Sequence, residues 1–256
     1  MSTDAQIKIN QLLQKQSPGA LFFGTWMYAN GISYELQRRY RESSWLISIG
    51  TGVMVRVGST PTIYAALSCF NAQMNKHLSI GAMSALEMAG YSHYIPMGKS
   101  SVVVFVPKKE WFPKWLEQYD WGTNLIKVSS EYFSHESGLV TYKQGEFDVL
   151  ISSPERAFLE CLYLVPKYYN LMDLYYVMEQ LTTLRPPVLQ TLLENCKSVK
   201  VKRLFMYMAE KANHLWLQDL DLSRISLGSG KREVVKKGVF NKKYQITIPM
   251  ELDSYE

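Results

Sequence analysis

Between Ser33 and Arg41 the chain reads Ser-Tyr-Glu-Leu-Gln-Arg-Arg-Tyr-Arg, which crowds three guanidinium groups beside an amide and two phenols. A guanidinium donates in a planar fork that matches phosphate oxygens and the acceptor edge of guanine, and a glutamine amide matches adenine. The run therefore carries the chemistry of nucleic-acid contact. Helical spacing sorts it into faces: Leu36 and Tyr40, four residues apart, pack on one side, while Gln37, Arg38 and Arg41, with Arg39 nearby, project from another. Tyr34, Gln37, Arg38 and Arg41 are the residues expected to read a duplex.

Such a helix must begin at a fixed place and be held by its neighbours. Ser33 offers a hydroxyl to the orphan amides of a helix from Tyr34 to about Ser43. Upstream, Asp4 to Gln14 carries Ile7, Ile9, Leu12 and Leu13 on near-helical spacing, and Ser17-Pro18-Gly19 stops it. Leu21 to Ala29, with Phe22, Phe23, Trp26 and Met27, predicts a second helix ended by Asn30-Gly31, residues that tolerate a left-handed backbone. Downstream, Trp45 to Ile49 and Val53 to Val57 are strand-like runs around a Gly50-Thr51-Gly52 loop. Two helices, a tight turn and a β-hairpin make a winged helix-turn-helix, in which the later helix enters the major groove. Thr51, the loop amides and Arg56 on the wing would reach flanking phosphate or the minor groove.

The second concentration of charge lies late in the chain. Between Lys197 and Lys243 twelve cations, among them Lys202, Arg203, Lys231 and Arg232, face only Glu210, Asp219, Asp221 and Glu233. This stretch suits a nucleic acid or an acidic protein. Gly228-Ser229-Gly230-Lys231-Arg232 lacks the preceding spaced glycine and the magnesium-holding Ser/Thr of a phosphate loop, so a turn before a strand is expected. Glu155 and Glu160 invite acid–base chemistry, but helix capping accounts for the first and a solvated face for the second. Cys69, Cys161 and Cys196 sit far apart in apolar surroundings and read as buried small hydrophobes. His77 and His93 have no companion ligand at metal-site spacing. No catalytic residue, metal or cofactor is assigned.

The remaining pattern defines the frame. Helices over Ile63–Asn75 and Ser79–Ala89 are expected to pack on the winged domain and extend it. The pattern then turns to strands at Val102–Val106, Leu125–Val128, Gly138–Tyr142 and Phe147–Ile151, with Trp111, Trp115 and Trp121 clustering after the first, a cluster able to bind a base or a sugar though satellite core packing is its commoner use. Ser153-Pro154-Glu155 starts a helix, and helical patterns follow at Leu171–Leu181, Val188–Cys196 and Val199–Asn213 before a last strand at Tyr244–Ile248. With 256 residues, 47% hydrophobic and 20% charged, the chain has the material for two cores and excludes a disordered tail protein. The expected architecture is α+β: residues 1–95 a winged helix-turn-helix domain with a helical extension, residues 96–256 a larger mixed α/β domain. No run has the length of a membrane span and the first residues do not read as a signal peptide, so a cytoplasmic protein is expected.

The ordered series GISYELQRRYRESSWLISIGTGVMVRVG, HLSIGAMSALEMAGYSHY, ISSPERAFLECLYLVP, VKVKRLFMYMAEKANHLW and LGSGKREVVKKGVFNKKYQITIP resembles the AbiEi family of bacterial type IV antitoxins over nearly the whole chain. The resemblance implies an N-terminal domain that binds double-stranded DNA at inverted repeats upstream of its own operon and represses it. It implies a C-terminal domain that counteracts a nucleotidyltransferase-like toxin without a stable complex, in systems associated with abortive infection. The DNA role falls on Ser33, Tyr34, Gln37, Arg38, Arg39, Arg41, Thr51 and Arg56. The antitoxin role is assigned only to Lys202, Arg203, Lys231 and Arg232. A monomer, or two protomers on a two-fold repeat, would engage the DNA. Two other readings stand beside this one: a metal-dependent nuclease with Asp148 as ligand and the winged domain as address, and a protein-interaction module whose helix-turn-helix is vestigial.

Overall fold

The computed structural model describes residues 3–14, 16–91, 99–131 and 137–255, the side chains of 3–6 excepted. Two compact units divide the chain: one holds Met1–Ser79, Lys99–Lys127 and Thr141–Leu150, the other Ile80–Gly98, Val128–Val140 and Ile151–Glu256. The expected division at 95/96, and His93 with it, lies outside the described residues.

The first unit opens with α1 (Thr3–Gln14), β1 (Leu21–Phe23), α2 (Gly24–Ala29), α3 (Tyr34–Glu42), β2 (Leu46–Gly50) and β3 (Val53–Arg56). This is a winged helix with a three-stranded sheet in the order β1-β3-β2. The single helix expected over Leu21–Ala29 is instead a strand followed by a helix. Leu21, Phe22 and Phe23 pair with Val55, Met54 and Val53, and three consecutive buried side chains suit a strand covered on both faces. The pairing depends on a partner far along the chain, so no local periodicity announces it. Ile9, Leu12, Phe22, Met27, Ile32, Tyr40, Leu46 and Met54 form the core beneath the helices.

Next comes α4 (Ile63–Met74), begun by Thr62, whose hydroxyl accepts from the Ala65 amide. It covers the open edge of β1. Gln73 accepts from the Phe23 amide at 3.0 Å and donates to the Leu21 carbonyl at 2.6 Å, and the Cys69 sulfur accepts from the Leu21 amide at 3.3 Å. An edge strand thus spends its unpaired groups on side chains. The expectation for the following helix is corrected: Ser79–Ile80 is a short strand, β4, and α5 (Ala82–Met88) belongs to the second unit, packed on a later helix.

A five-stranded sheet in the order β6-β5-β4-β8-β7 is completed by β5 (Ser101–Pro107), β6 (Asn124–Ser130), β7 (Leu139–Gln144) and β8 (Phe147–Ser152), with the short helix α6 (Lys114–Gln118) after β5. Residues 102–107 of β5 are all buried, as its unbroken apolar run requires. Ile80 of β4 lies parallel to Ile151 of β8. The helices of the second unit are α7 (Pro154–Leu164), α8 (Leu171–Gln180), α9 (Pro186–Asn195) and α10 (Val199–Lys211). Strands β9 (Arg232–Glu233), β10 (Val239–Asn241) and β11 (Ile246–Ile248) then form a sheet in the order β10-β11-β9, followed by α11 (Met250–Ser254). Ser153 stands at the start of α7 without bonding a helix amide; Pro154, pre-set for the first turn, and Glu155 serve that end. Among the described residues no helix is long and apolar enough to cross a membrane.

Candidate nucleic-acid interface

The geometry of α3 follows from its first residue. Ser33 Oγ accepts from the Leu36 amide at 3.3 Å, which fixes where the helix begins and so which side chains point outward. Tyr40 is fully buried and Leu36 half-buried, and they seat the helix. Tyr34, Arg38, Arg39 and Arg41 are exposed. Tyr34 stacks on Tyr28 of α2 with ring centroids 4.9 Å apart and planes 12° from parallel, so the helix-turn-helix carries an exposed aromatic pair at its mouth.

Gln37 does not project with the arginines. It is 3% exposed, and its Nε2 donates to the carbonyls of Gly24 and Ile32, each at 2.9 Å. Its amide satisfies two buried carbonyls around the turn between α2 and α3, so its expected role in reading bases is withdrawn. The helical wheel places position 37 between the apolar and polar faces, and only the packing of α2 against α3 decides which way it turns.

The arginines are tethered but not sequestered. Arg38 Nε lies 3.1 Å from Glu42 Oε1 and Arg39 Nη2 lies 2.6 Å from Glu35 Oε1, both four residues apart on the helix. Pairs this exposed hold weakly and exchange readily for a phosphate. Arg41 Nη1 sits 3.8 Å from the sulfur of Met54, on the hairpin side of the helix.

The wing is braced at its tip. The Gly24 amide donates to the Gly52 carbonyl at 2.9 Å, tying the β2–β3 turn to the start of α2. Thr51 is exposed in that turn, and Arg56 is exposed at the far end of β3. Gly50 has no room for a side chain, because a Cβ there would lie 2.5 Å from the Cβ of Trp115. Behind it the expected tryptophan cluster is present: Trp115 meets Trp121 at 6.1 Å and Phe23 at 5.9 Å, and Trp111 meets Phe70 at 5.9 Å.

Beside the wing lies a groove of about 710 Å³ lined by Gly50, Thr51, Trp111, Lys114, Trp115 and Tyr119 among others. Trp111, 59% exposed, and Lys114 are surface residues that the fold brings to the wing from a distant part of the chain. The tryptophan spacing was the available signal; the missing piece was the Gly50–Trp115 contact, which brings distant segments together.

The other candidates separate clearly. Lys202 is 6% and Arg203 3% exposed, so neither presents its charge to a partner and both are withdrawn as surface contacts. Lys231 and Arg232 are exposed. Glu160 is fully buried rather than solvated: it accepts from Arg156 Nε at 2.8 Å, from Ser152 Oγ and from the Ala82 amide at 2.9 Å. Burial pushes its carboxyl up, against the pull of Arg156. Glu155 is also buried, and there the Arg185 guanidinium overcomes the upward push of burial and holds the carboxyl down at about 2. All three cysteines are buried free thiols, raised by burial, Cys69 to about 11. His77 bonds Glu110 at 3.0 Å. Asp148 is exposed on β8, lining a cavity of about 520 Å³ with Glu146. Among the described residues no three His, Cys, Asp or Glu side chains gather as a metal site.

Comparison with known proteins adds the family. Residues 5–97 match the family described as transcriptional regulator, AbiEi antitoxin N-terminal domain, and residues 99–249 match transcriptional regulator, AbiEi antitoxin, type IV TA system. No curated protein matches the sequence. Among solved structures, the crystal structure of RV2827C protein from Mycobacterium tuberculosis is similar with a TM-score of 0.62 at 13% identity, over 97% of this chain and 92% of that one. At that identity the likeness is one of fold.

Proposed function

This chain belongs to the AbiEi family of transcriptional-regulator antitoxins of type IV toxin–antitoxin systems, and we propose on that premise that it is a DNA-binding autorepressor. It binds double-stranded DNA at inverted repeats upstream of its own operon, with α3 in the major groove and the wing on flanking backbone. It antagonises a nucleotidyltransferase-like toxin without a stable complex, acts in the cytoplasm, and does so without catalysis of its own. The observation that supports the reading best is the outward face of α3: a serine-capped helix seated by Tyr40 with Tyr34, Arg38, Arg39 and Arg41 exposed on one surface.

Exposed guanidiniums at fixed positions on a seated helix lose little freedom when they meet a base edge. Thr51 and Arg56 contribute register rather than sequence, because backbone contacts carry no base information. The protein is a monomer in solution, and one protomer occupies each half of the repeat. For the antitoxin role the exposed Lys231 and Arg232 are the retained candidates.

The test is binding of the purified full chain to its own upstream DNA. Affinity falls steeply with salt as counterions return to the phosphates. Arg38→Ala with Arg41→Ala removes about 1–3 kcal/mol for each arginine that reads a base. Unchanged sequence-specific binding by that double variant overturns the placement of the interface on α3. A neighbouring reading frame for a nucleotidyltransferase-like protein is the expected genetic companion.

A further inference from the structure

The second unit carries a charged surface that the reading of α3 leaves unused. In the sheet β10-β11-β9, Ile246 and Ile248 are buried, while Thr247 between them pairs with Phe240 on the opposite face. Phe240 is 37% exposed there, and Lys231 Nζ sits 5.0 Å from its ring centroid. Arg232, Lys236, Lys237 and Lys242 are exposed on the same stretch of chain, whose one acid between 231 and 243 is Glu233. Lys243 is taken up by Glu210, which also accepts from the Tyr244 hydroxyl at 2.8 Å.

The β9 end of the patch is held by Arg203. The buried Arg203 guanidinium donates to the carbonyls of Leu227 at 2.7 Å, Gly228 at 3.0 Å, Gly230 at 2.6 Å and Gln245 at 3.3 Å. These bonds fix the loop that leads into β9 and the residue that precedes β11. Lys231 is thereby displayed from a fixed loop, which lowers the ordering cost of its binding.

The composition of the surface selects the partner. Protein–protein interface cores are depleted of lysine and built on several apolar anchors, whereas here one exposed ring has Lys231 against it and exposed Lys236, Lys237 and Lys242 in the turns before and after its strand. Cations that track a backbone, with an aromatic ring for a base, are what a single strand of nucleic acid requires. We propose that the Phe240 face of this sheet, which the strand register shares with Glu233 but not with Arg232, binds single-stranded nucleic acid, with phosphates on Lys231, Lys236, Lys237 and Lys242 and a base against Phe240. This surface is separate from α3, and the two stand or fall independently.

The test measures binding of a labelled thymidine oligonucleotide of about ten nucleotides to the full chain across a salt series. The combined Lys236→Gln, Lys237→Gln and Lys242→Gln variant weakens binding about tenfold or more and lowers the slope of log affinity against log salt by about 2, from three lost phosphate contacts. Phe240→Leu weakens binding several-fold with the salt slope unchanged, the mark of lost stacking. Arg38→Ala with Arg41→Ala leaves oligonucleotide binding as it was. These surface variants keep the wild-type circular dichroism and unfolding midpoint. The proposal is overturned if the wild type ignores the oligonucleotide at low salt, or if the lysine variant keeps the wild-type slope. It is overturned equally if polyglutamate binds more tightly than the oligonucleotide, which would make this face a site for an acidic protein.

Discussion

Two basic helices, α3 and α10, each carry adjacent cations, Arg38-Arg39 in one and Lys202-Arg203 in the other, and the fold treats them in opposite ways. On α3 the arginines stand in solvent beside Glu35 and Glu42; on α10 Lys202 and Arg203 are buried. The difference lies in what surrounds each helix. Around α3, Tyr40 and Leu36 supply a narrow apolar seat and the rest stays wet, whereas α10 is buried along nearly its whole length from Val201 to Ala209. A guanidinium in such a place needs acceptors, and four carbonyls take bonds from all three nitrogens of Arg203. One pair of cations faces solvent on weak ion pairs; in the other, Arg203 holds the loop before β9.

The contrast yields its largest test at Arg203. Arg203→Ala removes four part-buried bonds from a charged group and should cost about 3 kcal/mol, read as a drop in the denaturant midpoint at unchanged m-value. A variant as stable as the wild type would erase the distinction between the helices. Next in size, Arg38→Ala with Arg41→Ala should cost operator affinity by the amounts given above and leave stability within about 0.5 kcal/mol of wild type. A large stability loss there would mean that α3 is a structural helix like α10.

Acid should act on the second unit through Glu155. Its carboxyl titrates lower in the folded chain than its ordinary value of 4.5, at about 2, with Arg185 as partner. The stabilisation is therefore whole above the ordinary value and is lost as pH falls from there to about 2. With solvent screening at the half-exposed Arg185 allowed for, it amounts to about 2 kcal/mol, measured as the unfolding free energy across that range. Glu155→Gln should flatten this slope. Smallest, Gln37→Leu removes the donor that the Gly24 and Ile32 carbonyls share and should cost about 1–2 kcal/mol by the same denaturant measurement. Loss of DNA binding at unchanged stability would instead return Gln37 to the reading surface.

Much of this was legible along the chain. Ser33 as cap, the extent of α3, the wing around Thr51 and the buried strand β5 follow from local chemistry: a hydroxyl before a helical run, a glycine-bounded turn, an unbroken apolar stretch. The exposure of Arg38, Arg39 and Arg41 is likewise a matter of helical phase against Leu36 and Tyr40. What went unread was settled by partners distant in sequence. Strand β1 depends on β3 and on side chains of α4; Glu160 is buried because Ala82 and Arg156 meet it; Trp115 reaches the wing at Gly50.

The sequence by itself determined which segments are helix and strand over most of the chain, and where positive charge is concentrated. Only the tertiary structure decided which polar side chains face water, withdrawing Gln37, Lys202 and Arg203 and leaving the arginines of α3 and the lysines before and after β10. Helix propensity and capping act over a few residues, so they are written locally. Burial of a polar group depends on donors and acceptors that long-range packing brings to it, and these are written elsewhere in the chain.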